Sequence, residues 1–142
     1  MMRVSYLLAF KGSQVWSIGP EEPVLAAIQL MADKQIGALP VLRDGELIGI
    51  VSERDYARKV ILLGRSSAET PVWQIMTSPV TTVSPDEAVH RCMEIMTEQR
   101  IRHLPVIERK QLVGMVSIGD LVKAVIEEQQ QTITQLERYI AS

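Results

Sequence analysis

The stretch Gly49-Ile50-Val51-Ser52-Glu53-Arg54-Asp55 returns 65 residues later as Gly114-Met115-Val116-Ser117-Ile118-Gly119-Asp120. Each copy ends an apolar run with Ser and places an Asp three residues on. Residues 15–60 overlay 80–125 without a gap: Pro20 meets Pro85, Glu22 meets Glu87, Met31 meets Met96, and Ile36 meets Ile101. Leu39-Pro40-Val41 meets Leu104-Pro105-Val106, and Leu47 meets Leu112. A fixed internal period dictates the architecture before any other reading. The chain is a tandem duplication.

At 142 residues, two small halves are each short of apolar surface to bury, so the repeats are expected to share one core. The net charge is −2 with both signs interspersed, which excludes a general nucleic-acid binder. A single cysteine, Cys92, excludes an internal disulfide and a cysteine-rich metal site. The apolar patch in Met1–Phe10 is too short for a secretion signal or a membrane span, so the expected compartment is the cytoplasm.

Val4, Leu7 and Leu8 predict a short helix over 3–11, stopped at Gly12. Val72, Ile75 and Met76 repeat that spacing after Thr70 as N-cap and Pro71 in the first turn, so each repeat gains a lead-in helix. Within the first repeat we expect a brief strand over Val15–Ile18 and a helix over Glu21–Gln35 whose first-turn Glu21 and Glu22 suit its dipole. Strands Ala38–Leu42 and Glu46–Ser52 follow around Asp44-Gly45, then a helix from Ser52 to Leu63 ending at Gly64. Pro40 belongs at an edge or beside a bulge. The second repeat reads as a strand near Val80–Val83, helix Asp86–Gln99, strands His103–Ile107 and Leu112–Ser117, and a helix from Ile118. Its turn, Glu108-Arg109-Lys110-Gln111, lacks glycine and should turn differently from the first.

That strand–helix–strand–strand–helix order, its period, the Leu-Pro-Val segments and the Gly-x-apolar-Ser-x-x-Asp segments resemble a tandem pair of CBS (cystathionine β-synthase) domains. Ile75-Met76-Thr77 before Pro79-Val80 is similar to the lead-in of a second repeat. Ser52–Val60 and Arg100–Val106 resemble small stand-alone CBS-pair proteins of bacteria and plant organelles. The resemblance implies an α/β (α+β) fold of two CBS repeats packed sheet to sheet around a pseudo-twofold axis. It divides the chain into repeat 1 at 1–66, repeat 2 at 67–128, each with its lead-in helix, and a helical tail at 129–142. It also implies two clefts between the repeats that take AMP, ADP, ATP, NAD or S-adenosylmethionine as a regulatory ligand, with no cofactor required.

On that basis Asp55 and Asp120 are candidates for the ribose hydroxyls, since a carboxylate can accept from both members of a cis-diol. Ser52 and Ser117 would lie beside them. The same Ser-x-x-Asp spacing is also that of a capping box, and the residues alone leave both readings open. Arg102 and His103, where the first repeat has Gly37 and Ala38, are candidates for ligand phosphates, with solvated loop charge as the alternative. Arg54 would add charge at the other cleft. The resemblance further assigns Ile18, Ala38, Thr77, Pro79 and Val80 to the ligand sites.

Cys92 aligns with Ala27 and His90 with Leu25, which suggests a small core position and a core or boundary histidine rather than redox or metal chemistry. Met31 and Met96 should be core residues. Neither a phosphate loop nor a dinucleotide glycine fingerprint occurs, and no nucleophile–base pair can be picked out. The expected function is a non-enzymatic sensor that binds an adenosine nucleotide and signals to an unknown partner protein. The alternatives are a nucleotide-indifferent dimerisation scaffold and, third, an enzyme acting on a nucleotide.

Beyond the second repeat, Val122, Ile126, Gln129, Ile133, Leu136 and Ile140 are spaced at a period of 3.5. That seam suits packing against another subunit, giving a homodimer or a dimer of dimers. A separate short helix starting at Thr132 and folding back on the same subunit is the alternative.

Overall fold

A computed structural model describes residues 1–12 and 14–141; Ser13 and Ser142, the last residue of the expected tail, lie outside the described residues. The elements are α1 (Val4–Lys11), α2 (Val24–Lys34), β1 (Ala38–Arg43), β2 (Glu46–Ser52), α3 (Glu53–Tyr56), α4 (Val89–Gln99), β3 (His103–Glu108), β4 (Gln111–Ser117) and α5 (Ile118–Ala141). Strands β1 and β2 form one two-stranded sheet, β3 and β4 another.

The chain divides into two compact units. One comprises Gln14–Thr81 with Arg109–Leu112, the other Met1–Ser13, Thr82–Glu108 and Val113–Ser142. Each has its own cluster of buried apolar residues. The first core joins Val24, Ala27, Met31, Leu39, Val41 and Val51 to Val72 and Ile75. The second joins Val89, Cys92, Met96, Leu104, Val106 and Leu121 to Val4 and Leu7.

The lead-ins are therefore exchanged. Sequence order gives 3–11 to the first repeat, yet α1 completes the second core, and Val72 and Ile75 complete the first. A boundary at 66/67 does not separate the packing units. Main-chain hydrogen bonds explain the arrangement, because the first amides of a helix have no partner within it. Val24 N–H donates to Thr70 C=O at 2.8 Å and Val72 N–H to Glu22 C=O at 2.8 Å. In the other unit Val89 N–H donates to Met2 C=O at 3.0 Å and Val4 N–H to Glu87 C=O at 2.9 Å.

The glycine of each repeated motif makes room for this exchange. A Cβ on Gly49 would clash with the Met76 side chain and lie 3.2 Å from Thr77 C=O, and one on Gly114 would lie 2.6 Å from a Leu8 methyl.

Other differences follow from local chemistry. The expected strands 15–18 and 80–83 shrink to single parallel bridges, Ile18 with Val41 and Val83 with Val106. Helix α2 starts at Val24, three residues late, because Pro23 sits at the N-cap and disfavours helical backbone at Glu22. Glu21 and Glu22 thus precede the helix, and Glu21 instead pairs with Arg43 at 3.1 Å. Helix α4 likewise starts at Val89. The second lead-in is a 3₁₀ turn, Val72–Gln74, with Pro71 rather than Thr70 at its N-cap. After α3 the chain widens into a π turn at Ala57–Ile61 and stops at Gly64.

Pro40 lies beside a bulge as expected, since the register slips between Val41 and Leu42. Asp44 and Gly45 turn at φ 50° and 80°, but Arg109 and Lys110 make the same kind of turn at 51° and 66° without glycine. The hairpin geometry thus overrides residue preference there. Met31 and Met96 are core residues, while His90 is exposed and 3.1 Å from Glu128, correcting the core assignment.

Helix α5 runs unbroken for 24 residues, without a new start at Thr132, whose hydroxyl bonds back to Glu128 C=O. Ile126, Ile133, Leu136 and Ile140 remain exposed along it.

Candidate functional site

Ser52 ends β2 and caps α3. Its hydroxyl accepts from Asp55 N–H at 3.2 Å, while Asp55 Oδ2 accepts from Ser52 N–H and Oγ–H, both at 3.0 Å. The capping box anticipated from the spacing is therefore present. The other oxygen, Oδ1, faces Lys59 Nζ at 3.1 Å and accepts from the Thr77 hydroxyl at 3.5 Å. Lys59 Nζ also donates to Ile75 C=O at 2.9 Å, tying the carboxylate to the lead-in. Asp55 is itself buried.

The second copy repeats the cap and changes the cation. Ser117 N–H donates to Asp120 Oδ2 at 2.8 Å and Asp120 N–H to Ser117 Oγ at 3.2 Å. The ammonium here belongs to Lys11, at the end of α1. It donates to Asp120 Oδ2 at 2.6 Å and to Met115 C=O at 2.7 Å. Burial raises the Asp120 carboxyl, but hydrogen bonds from Lys11 and Ser117 and the Lys11 charge lower it further, leaving it below its ordinary 3.8. Burial holds the His103 imidazole below its ordinary 6.5; Lys11 and Arg102 push the same way and Asp120 opposes them. His103 is thus grouped with Asp120, Lys11 and Arg102.

The remaining expected residues fall into place around these caps. Thr77 exchanges both main-chain hydrogen bonds with Ile50, at 2.8 and 3.1 Å. Ala38 is buried and pairs with Ser52 across the sheet. Ile18 is half-buried, donating to Pro40 C=O and accepting from Leu42 N–H. Pro79 and Val80 follow Thr77, exposed and half-buried respectively. Arg54, second in α3, is exposed, as is Arg102, whose carbonyl accepts from Ile118 N–H at 2.8 Å.

Sequence reasoning missed both lysines. Lys59 stands four residues after Asp55, a spacing that predicts an ion pair on a helix. Lys11 lies 109 residues from Asp120 and carries no such signal. A hollow of about 440 Å³ also opens in the first-repeat unit, lined by Ile28, Met31, Ile36 and Tyr56 among others; none of the expected ligand residues lines it. Cys92 is buried as expected, and its thiol is pushed up to about 11, first by burial and then by Glu87, against an opposing main-chain hydrogen bond. Among the described residues, no cluster of His, Cys, Asp or Glu could hold a metal, and no helix is long and apolar enough to cross a membrane.

The CBS domain family profile matches residues 12–61 and 72–127. The chain is a tandem CBS-domain protein. A mitochondrial CBS domain-containing protein of Arabidopsis thaliana, CBSX3, is 46% identical over 91% of this chain, which spans 65% of that relative. The CBS domain-containing protein YhcV of Bacillus subtilis is 32% identical over 77% of each chain. A solved CBS-domain structure from Burkholderia ambifaria, named for signal transduction, superposes with a TM-score of 0.87 at 46% identity, over 90% of this chain and 96% of that one. A hexameric CBS-CP12 protein from bloom-forming cyanobacteria superposes with a TM-score of 0.77 at 29% identity, over 86% and 70%. The tandem α+β fold that the resemblance implies is thus the fold of the family.

Proposed function

We propose that this CBS pair is a non-enzymatic regulatory module that binds an adenosine-containing nucleotide, AMP, ADP, ATP or NAD, at Asp55 and Asp120 and signals its state to a partner protein. The observation that carries the reading is the duplicated arrangement itself. Twice, a carboxylate at the start of a helix is held by a Ser cap, beside main-chain carbonyls and a lysine. Such a group suits ribose hydroxyls through the carboxylate and phosphate through the lysine. At the second copy, Arg102 and His103 add phosphate-binding capacity. The ligand acts by favouring one packing of the chain over another. The signal-transduction name of the Burkholderia structure supports a signalling role. Cytoplasmic placement belongs to the same reading, although the plant relative is named as mitochondrial.

A second reading has its own observation. Asp55 already receives Ser52, Thr77 and Lys59, so both carboxylates could serve as caps alone, in a scaffold indifferent to nucleotide. Thermal-shift measurements with AMP, ADP, ATP and NAD separate the two. Binding to the native state raises the melting temperature, by mass action. A shift in the wild type that Asp55→Asn or Asp120→Asn diminishes supports the sensor; no shift with any of the four supports the scaffold.

The exposed face of α5 completes the proposal as a self-association surface, giving a homodimer or a dimer of dimers. Its apolar spacing is that of a helix–helix seam. Truncation after Glu128 should lower the assembly state in light scattering. An unchanged state would remove the tail from the interface.

A further inference from the structure

Lys11 has no counterpart in the other lead-in, since residues 72–80 contain no lysine. Its position is set by apolar packing rather than by charge. Val4 and Leu7 are anchored in the second core, and Leu8 lies over Gly114. That packing brings the last turn of α1 to the strand end where Met115 C=O and Asp120 Oδ2 both accept from its ammonium, at 2.7 and 2.6 Å. The two acceptors are thereby occupied from within the chain. A ribose cis-diol that takes both carboxylate oxygens of Asp120 has to displace the charge-assisted hydrogen bond from Lys11 at Oδ2, roughly twice as strong as a neutral one. Lys59 differs, because it shares a helix with Asp55 and stays beside it whatever the lead-in does.

We propose that Lys11 is the specificity-determining residue of the Asp120 site. It penalises neutral ribose-bearing ligands, which displace it without compensation, and favours phosphorylated ones, to which the displaced ammonium offers a new ion pair. The proposal rests on reading Asp120 as a nucleotide site. Around a ligand held there, Asp120 contributes one negative charge and Lys11 and Arg102 one positive charge each. Once the carboxylate accepts ribose hydroxyls, both cations are left for a phosphate. An adenosine molecule, lacking that phosphate, costs Lys11 its carboxylate and offers no anion in its place, leaving the Met115 carbonyl as its acceptor.

The test is calorimetric titration of wild type, Lys11→Met and Asp120→Asn with adenosine and with AMP at one pH and ionic strength. Lys11→Met keeps the aliphatic stem and removes the charge. It should tighten adenosine and weaken AMP, so that the preference for AMP falls about tenfold, the size expected for one charged hydrogen bond. Lys11→Arg should retain the preference. If Asp120→Asn weakens both ligands while Lys11→Met leaves their ratio at the wild-type value, the specificity proposal fails and the site stands. If Asp120→Asn leaves both affinities unchanged, or neither ligand binds, the reading of Asp120 fails and the proposal falls with it. Should Lys11→Met lose its cooperative melting transition, Lys11→Gln is read by the same ratio.

Discussion

The unit built on Gln14–Thr81 and the unit built around Thr82–Ser142 hold the same carboxylate, capped by the same serine, but draw its counter-ion from opposite sides of the lead-in contact. In the first, Lys59 stands on the repeat and reaches the lead-in carbonyl of Ile75. In the second, Lys11 stands on the lead-in and reaches the repeat carbonyl of Met115. A lysine ammonium with three donors can bridge a carboxylate and a carbonyl from either direction. The difference shows what duplication holds fixed here and what it leaves free. The cap is specified by adjacent residues and is copied with them. The cation has only to arrive, so it can be supplied by another part of the chain.

The largest expected effects come from breaking the exchange of lead-ins. Ile75 is fully buried in the first core, and Ile75→Ala should cost about 2–5 kcal/mol in urea unfolding. Leu7→Ala should weaken the second unit toward the low end of that range, since Leu7 keeps 9% of its surface exposed. A fragment of residues 1–66 retains α1 but lacks Val72 and Ile75, so it should be molten. Residues 14–81 carry the complete first core and should keep protected core amides in hydrogen exchange. Equal protection in the two fragments would show that sequence order, not exchange, defines the units.

Much of this was legible in the sequence because its periods are short-range. The first hairpin follows from alternation around Asp44-Gly45, and the core faces of α2 and α4 from spacings that put Met31 and Met96 on one side. The exchange was not legible. Val4 and Leu7, like Val72 and Ile75, give the same i, i+3 signal whichever core they enter. The start of α2 is not legible from charge, because Glu21 and Glu22 suit a helix dipole whereas Pro23 fixes the cap after them. At the candidate site, the caps could be read from Ser-x-x-Asp. The Lys11 contact could not, because it depends on where the whole of α1 packs.

The motif glycines sharpen the comparison further. Gly49→Ala drives a methyl against Met76 and close to the rigid Thr77 carbonyl, whereas Gly114→Ala meets only the movable tip of Leu8. Gly49→Ala should therefore be the more destabilising, by about 1–3 kcal/mol, with a smaller loss at Gly114. Thermal melts of the two variants measure the order. The reverse order would mean that the first lead-in, not the second, is the tighter contact.

At the hairpins the expected effect is a gain. Lys110 holds φ at 66°, a conformation that glycine adopts freely, so Lys110→Gly should stabilise the chain by about 0.5–1 kcal/mol. The converse Gly45→Lys should lose a similar amount. No gain from Lys110→Gly would mean that the Lys110 side chain offsets its strain through its own contacts.

The smallest effect is a pH response confined to one unit, because Ala38 stands where the other has His103. The fold depresses the His103 pKa below 6.5, so the unfolded chain takes up a proton before the folded chain does. That contribution is fully present above pH 6.5 and is lost as pH falls through the folded value. Asp120 adds a second loss at lower pH, present above 3.8 and removed as the pH falls through its depressed folded value. Melting temperatures recorded from pH 7.5 downward should decline first just below 6.5, and His103→Gln should remove that first step alone. A first step that survives in His103→Gln belongs to another group.

The central claim is that the two capped carboxylates are ligand sites and not caps alone. Calorimetric titration of AMP into wild type, Asp55→Asn, Asp120→Asn and the double variant tests it most directly. Losing a charged partner for the ribose should weaken binding by roughly 10- to 150-fold at whichever site is altered, equivalent to about 1.5–3 kcal/mol. The double variant should not bind measurably while it keeps its helical content and a cooperative melt. A double variant that is folded and binds AMP as the wild type does would contradict the account.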